Sequence, residues 1–406
     1  MLVKKSTIVQ YTLLWIAFFS HGSLLFVNIP SLYYIASIII LCVLIKYRKT
    51  YDKRLIAFLL LLLTNIIFVR VSNGGGVGVT VWIQWFVSIL SICVAYNINK
   101  SFFFHRYIKL VAMFGFISII CFALFRIVPD IFYSMPSHIF YNGKFQVQFY
   151  GILPLHLVSS FSDKVGRNMG VFTEPGLYQI PLNTALYFLL FFKDKLLLKQ
   201  KQYYRYLVII AFAILTCKAT TAYVVSALII CFYIFDQHGS KKYQFFLSLC
   251  VLLLFLLIDY VLNKDNSLFY SVLVSKISYN GKIDLTHSTA LYRLNTIVYV
   301  FDSLHENIWG VGIDNFRSFL INDITGISIA GMSLITAFAY YGIQIGLFYL
   351  YVLFIGFKNR KSIKQYVLIV FVTIISGLSQ SDLFYPSLFI LFYINYYDEG
   401  GIILYE

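Results

Sequence analysis

Leu55-Ile56-Ala57-Phe58-Leu59-Leu60-Leu61-Leu62-Leu63-Thr64-Asn65-Ile66-Ile67-Phe68-Val69-Arg70-Val71 carries a single charge, Arg70, near its end. A helix crossing about 30 Å of hydrocarbon needs roughly 17–25 mostly apolar residues. A membrane-crossing strand would instead alternate apolar and polar at every second position. Phe58 to Leu63 does not alternate, and neither does Ile38-Ile39-Ile40-Leu41. The same reading picks out segments 8–28, 31–46, 55–71, 77–97, 107–127, 177–192, 204–218, 220–236, 243–263, 333–357, 365–379 and 384–397. The expectation is an all-α polytopic membrane protein of about twelve transmembrane helices.

Composition supports this. The 406 residues are 60% hydrophobic and 12% charged, with a mean hydropathy of +0.80. Soluble domains carry about twice that share of charge. Disorder is excluded too, because 19% of the chain is aromatic. The net charge of +15 would suggest nucleic acid in a soluble protein, but positive-inside bias competes with that reading.

Placing the charges decides between them. With the N-terminus in the cytoplasm, 21 of the 32 basic residues fall on inner segments. They include Lys46 to Arg54, Lys193 to Arg205 and Lys358 to Lys364. On this topology the inner side carries the whole +15 and the outer side is neutral, which leaves nothing to suggest nucleic acid. Both termini are then cytoplasmic. Lys4 and Lys5 before a long apolar run resemble a signal sequence, but the run is too long and continuous, and an uncleaved first span is expected. The six cysteines lie in or beside apolar runs without metal spacing and read as small buried side chains.

Organisation follows from the spans. Residues 1–127 form N-terminal helices, 128–176 a first long outer loop, and 177–263 central helices. Residues 264–332 form a second outer loop with short helices, and 333–406 the C-terminal helices. Loops this long are usually functional. The inner loops are too short for a nucleotide-binding module.

The first outer loop ends in Gly166-Arg167-Asn168-Met169-Gly170-Val171-Phe172-Thr173-Glu174-Pro175-Gly176. Arg167 offers a planar fork of donors suited to phosphate oxygens. Glu174 precedes a proline fit for the first turn of a helix. The alternative is a salt bridge between Arg167 and Glu174 at the rim. Lys218, in Thr216-Cys217-Lys218-Ala219-Thr220, is either a cation for phosphate or a side chain snorkelling to the interface.

In the second loop, Leu291, Leu294, Val298 and Phe301 recur at helical spacing behind a cap at Ser288 or Thr289. Arg293 is off that stripe, so it is expected to face away from whatever the helix packs on; a surface helix with Arg293 at lipid headgroups is the structural alternative. Trp309-Gly310-Val311-Gly312 follows, and its glycines permit a tight turn with exposed backbone donors. Asp382 reads as a solvated turn. His287 and His305 are the histidines to test as a base. Phe140, Tyr141, Tyr150 and Tyr279 are candidates for stacking on sugars.

Together these pieces resemble the O-antigen polymerase and O-antigen ligase superfamily of bacterial envelope glycosyltransferases. The matching elements are Arg167-x-x-Gly170-x-Phe172-x-Glu174-Pro175, the Lys218-Ala219-Thr220-Thr221-Ala222 hairpin, and Arg293 ahead of Trp309-Gly310-Val311-Gly312. Tyr341-Gly342-Ile343-Gln344-Ile345-Gly346 completes the set, which covers residues 165–350. The resemblance implies an inner-membrane enzyme whose periplasmic face polymerises undecaprenyl-pyrophosphate-linked repeats into O-antigen or similar surface polysaccharide.

It further implies that Arg167 and Arg293 grip the pyrophosphate, with Lys218, Gly310 and Gly312 beside it and Glu174 accepting the proton. No metal or cofactor is needed. Implied partners are the lipid-linked donor and acceptor, membrane lipids and a chain-length regulator. Ligase-like members carry a His-Asn pair where this chain has Gly331-Met332-Ser333, which favours the polymerase branch. The alternatives are a ligase moving finished glycan to lipid A core or protein, and a glycan-lipid flippase. A flippase would show paired halves, and this chain shows no repeat.

Overall fold

Continuous apolar runs can satisfy their own backbone N–H and C=O groups only by coiling into helices. The computed structural model describes residues 5–20, 22–47, 53–73, 79–142, 145–151, 158–159, 166–193, 196–237, 278–279, 282–283, 289–312, 315–316, 333–355 and 363–378. Helix takes 82% of the described residues, so the fold is essentially all-α.

The helices are α1 (Lys5–Phe19), α2 (Leu24–Asn28), α3 (Ser31–Tyr47), α4 (Lys53–Asn73), α5 (Val79–Ile98), α6 (Lys100–Ile127) and α7 (Pro129–Tyr133). After them come α8 (Pro175–Phe191), α9 (Gln200–Cys217), α10 (Thr220–Gln237), α11 (Thr289–Glu306), α12 (Ser333–Ile355) and α13 (Ile363–Leu378). Among the described residues α6 alone is both long and apolar enough to cross a membrane, and six other helices hold apolar stretches of 10–17 residues. The segments expected at 243–263 and 384–397 lie outside the described residues.

α8 is the central element. It is buried from Leu177 to Leu190, including Gln179, Asn183 and Thr184, and it packs on α6, α9 and α10. α1 and α3 pack on α5. α12 packs on α4, α11 and α13, and α13 closes back on α10. The outward faces are apolar as well. Ile35, Ile38 and Ile45 on α3, and Tyr204, Val208, Phe212 and Leu215 on α9, are exposed.

Two expectations change. The first span, read as one helix over 8–28, is broken between α1 and α2. There Thr173 N–H bonds to Gly22 O (2.9 Å), Leu24 N–H bonds to Val171 O (3.3 Å), and Ser23 pairs with Phe172. Ser23 then caps α2 by accepting from Phe26 N–H.

The long connection over 128–176 holds strands as well as a short helix. Strands β1 (Ser137–Asn142), β2 (Phe145–Tyr150) and β3 (Val158–Ser159) form an antiparallel sheet in that order, with Ser137 opposite Tyr150. Period-two alternation explains it: Val147 and Phe149 are buried with Leu24 and Met169, while Gln148 lies on the other face.

Candidate functional site

The turn at Gly166–Gly170 is held by one fully buried side chain. Asn168 Nδ2 donates to Thr216 Oγ1 (3.1 Å) on α9 and to Ser118 Oγ (3.2 Å) on α6. Its Oδ1 accepts from Gly170 N–H (3.0 Å), and its own N–H bonds to Thr216 O (2.9 Å). Ser118 Oγ in turn meets the Tyr178 hydroxyl on α8 at 2.7 Å. One asparagine thus ties three helices to the loop, and a buried amide so fully satisfied fixes its surroundings.

That tie positions the charged residues. Arg167 is half-buried; burial lowers its pKa from the usual value, offset in part by Cys217 and Tyr223 nearby. The guanidinium stays protonated at physiological pH, so the shift records the cost of holding a cation there. Lys218 ends α9 in the left-handed conformation (φ 46°). Cys217 Sγ donates to Pro175 O (3.1 Å), which joins the end of α9 to the start of α8. Lys218 and Glu174 are the chain neighbours of those two residues and flank the same junction. Glu174 starts α8 from an extended conformation and is partly exposed.

Sequence reasoning passed over a further cation. Arg126, exposed in the last turn of α6, lays its guanidinium over Gly166, whose φ of +62° and missing side chain make the room. A Cβ at position 166 would stand 3.3 Å from Arg126 Cζ and 3.8 Å from Lys218 Nζ. The available signal was a basic residue ending a span on the same side as Arg167.

The second loop is built differently from its expectation. On α11, Val298 and Phe301 of the expected packing stripe are exposed, while Thr296, Val300 and Ser303 are buried. α11 packs on α12. The expected stripe is therefore not the buried face at Val298 and Phe301. The side chains of Arg293, Leu291 and Leu294 lie outside the described residues.

Gly310 and Gly312 have structural duties. Gly310 (φ +100°) and Gly342 (φ +83°) press together, and a Cβ on Gly310 would stand 2.6 Å from Gly342 N. Here α12 is broken. Its missing bond is replaced by Ile343 N–H to Ile308 O (3.1 Å) and Val311 N–H to Ala339 O (2.9 Å). Gly310 N–H bonds to Asn307 O, and Gly312 O accepts from Phe316 N–H. Close packing thus accounts for Gly310, and Gly312 sits at a positive φ of 84°.

Of the remaining candidates, His305 is exposed at the end of α11, and Tyr150 is buried against Phe125 and Tyr133. His287 and Asp382, and the side chains of Phe140, Tyr141 and Tyr279, lie outside the described residues. No known family model matches the chain, and no curated protein matches it either.

Proposed function

We propose that the chain is a polytopic inner-membrane glycosyltransferase that joins lipid-linked oligosaccharide repeats into a surface polysaccharide. The observation that carries this reading is the gathering of Arg167 and Lys218 at one turn, beside Glu174, where Asn168 and Cys217 tie α6, α8 and α9 together. The apolar outward faces of α3 and α9 support a bilayer setting with about twelve spans. The charge distribution supports both termini in the cytoplasm and the site on the periplasmic side.

The chemistry needs few parts. An acceptor sugar hydroxyl attacks the anomeric carbon of the donor, the bond from that carbon to the diphosphate oxygen breaks, and its electron pair leaves with the lipid diphosphate. Negative charge grows on the leaving group, and a well-placed cation is worth about 3–4 kcal/mol where water is scarce. Glu174 takes the hydroxyl proton. Arg293 adds a second arginine from the other loop.

Cells carrying Arg167→Ala or Arg293→Ala are expected to make normal protein levels but no long chains, read as loss of the ladder on a polysaccharide gel. Glu174→Gln should slow extension strongly while leaving donor binding intact. A full ladder from either arginine variant would overturn the site. Long chains left unattached in a deletion strain would favour the ligase instead.

A further inference from the structure

We propose that Arg126, on α6, is a further substrate-binding residue that makes this site selective for a diphosphate over a monophosphate. The proposal rests on the reading of the site as a lipid-diphosphate site.

Two cationic centres from different helices face one point, the empty Cβ position of Gly166, with Arg126 Cζ at 3.3 Å and Lys218 Nζ at 3.8 Å. Two like charges brought toward one point raise the positive potential there. Folding nevertheless holds the segment between them in place through Asn168. The residue between the two cations is the one type that leaves room for both. Arg167 follows directly in the chain.

The local charge matches one ligand class. In segments 118–127, 166–176 and 214–223 the cations are Arg126, Arg167 and Lys218, and the only carboxylate is Glu174. A diphosphate linking a sugar to a lipid carries two negative charges, and cleavage of the sugar bond raises it toward three. Two phosphates need donors spread over more than one side chain, and the Arg126 fork supplies a pair that a lysine cannot. Arg126 is also exposed, so a ligand at the mouth of the turn can reach it.

The competing explanation is that Arg126 merely complements the C-terminal dipole of α6. A binding measurement on the purified full-length protein separates the two. The probes are farnesyl diphosphate and farnesyl monophosphate, with thermal melting recorded on the same samples. The wild type is expected to prefer the diphosphate. R126Q is expected to lose tenfold or more of its diphosphate affinity, with little change for the monophosphate and an unchanged melting temperature.

Wild-type diphosphate affinity in R126Q would overturn the proposal, and so would a parallel fall in melting temperature and in affinity for both probes. If R126Q does not fold, R126K decides, since it keeps the charge at the helix end and removes the fork. Reduced diphosphate affinity at normal melting then supports the proposal, and unchanged affinity overturns it. Arg126-dependent diphosphate binding by a protein that extends no glycan would sink the polymerase reading alone. Normal extension with unaltered diphosphate binding in R126Q would sink this inference alone.

Discussion

Gly170 shows how narrowly the site turn is specified. Its φ is +56°, and a Cβ there would lie 2.9 Å from the Tyr178 ring, whose hydroxyl is held by Ser118. The ring has little freedom to yield, because moving it breaks the chain of bonds from Tyr178 through Ser118 to Asn168. Gly170→Ala is therefore expected to cost about 1–3 kcal/mol, read as a lower melting temperature of the purified protein. An unchanged melting temperature would mean the turn tolerates a side chain. At this scale Arg167 and Glu174 were legible, because they stand out in an apolar chain, whereas Arg126 at the end of α6 was passed over. Asn168 was not legible either. Its importance comes from partners 50 and 48 positions away, and no local pattern records them.

The helices were legible from hydrophobic runs, and most bounds agree with the segments read from sequence. The breaks were not, because each depends on a segment remote in the chain. Residues 171–173 bond beside the gap between α1 and α2, and residues 308–311 supply the bonds missing from α12 at Gly342. Each of the two long connections thus lends backbone bonds to an interrupted helix. The stripe on α11 misled for a related reason. Periodicity shows that a helix has two faces, but it does not record which of them a neighbouring helix covers.

Gly342→Ala and Gly346→Ala separate backbone insertion from ordinary packing. A Cβ on Gly342 would meet Trp309 C at 2.5 Å and Ile308 O at 2.7 Å, so the backbone of the turn packed against it must move. At Gly346 the obstacle is the Phe338 ring, which can rotate. Gly342→Ala should lower the melting temperature well beyond Gly346→Ala, and equal effects would contradict the account of backbone packed against Gly342.

At the scale of the whole molecule, the number of spans decides which side each helix end faces. If α6 alone crossed the membrane from a cytoplasmic N-terminus, everything after Ile127 would lie outside, including the basic stretch from Lys193 to Arg205. α9 would then stand in water with Tyr204, Val208, Phe212 and Leu215 each about half exposed, along one face at spacings of four, four and three. Burying such a side chain is worth roughly 1.5–3 kcal/mol, so an uncovered stripe of this kind is costly on a monomer in water and favourable against lipid. The basic residues argue the same way, since Lys193, Lys195 and Lys199 before α9 and Lys201 and Arg205 in its first turns fit the positive-inside bias of a cytoplasmic connection. A reporter active only outside the cytoplasm is therefore expected to be silent when inserted at Leu197 and active when inserted between Asn142 and Phe145. The second position controls for expression, because both topologies place it outside. Activity at both positions would leave α6 as a lone crossing and remove the inner–outer alternation on which the periplasmic site depends.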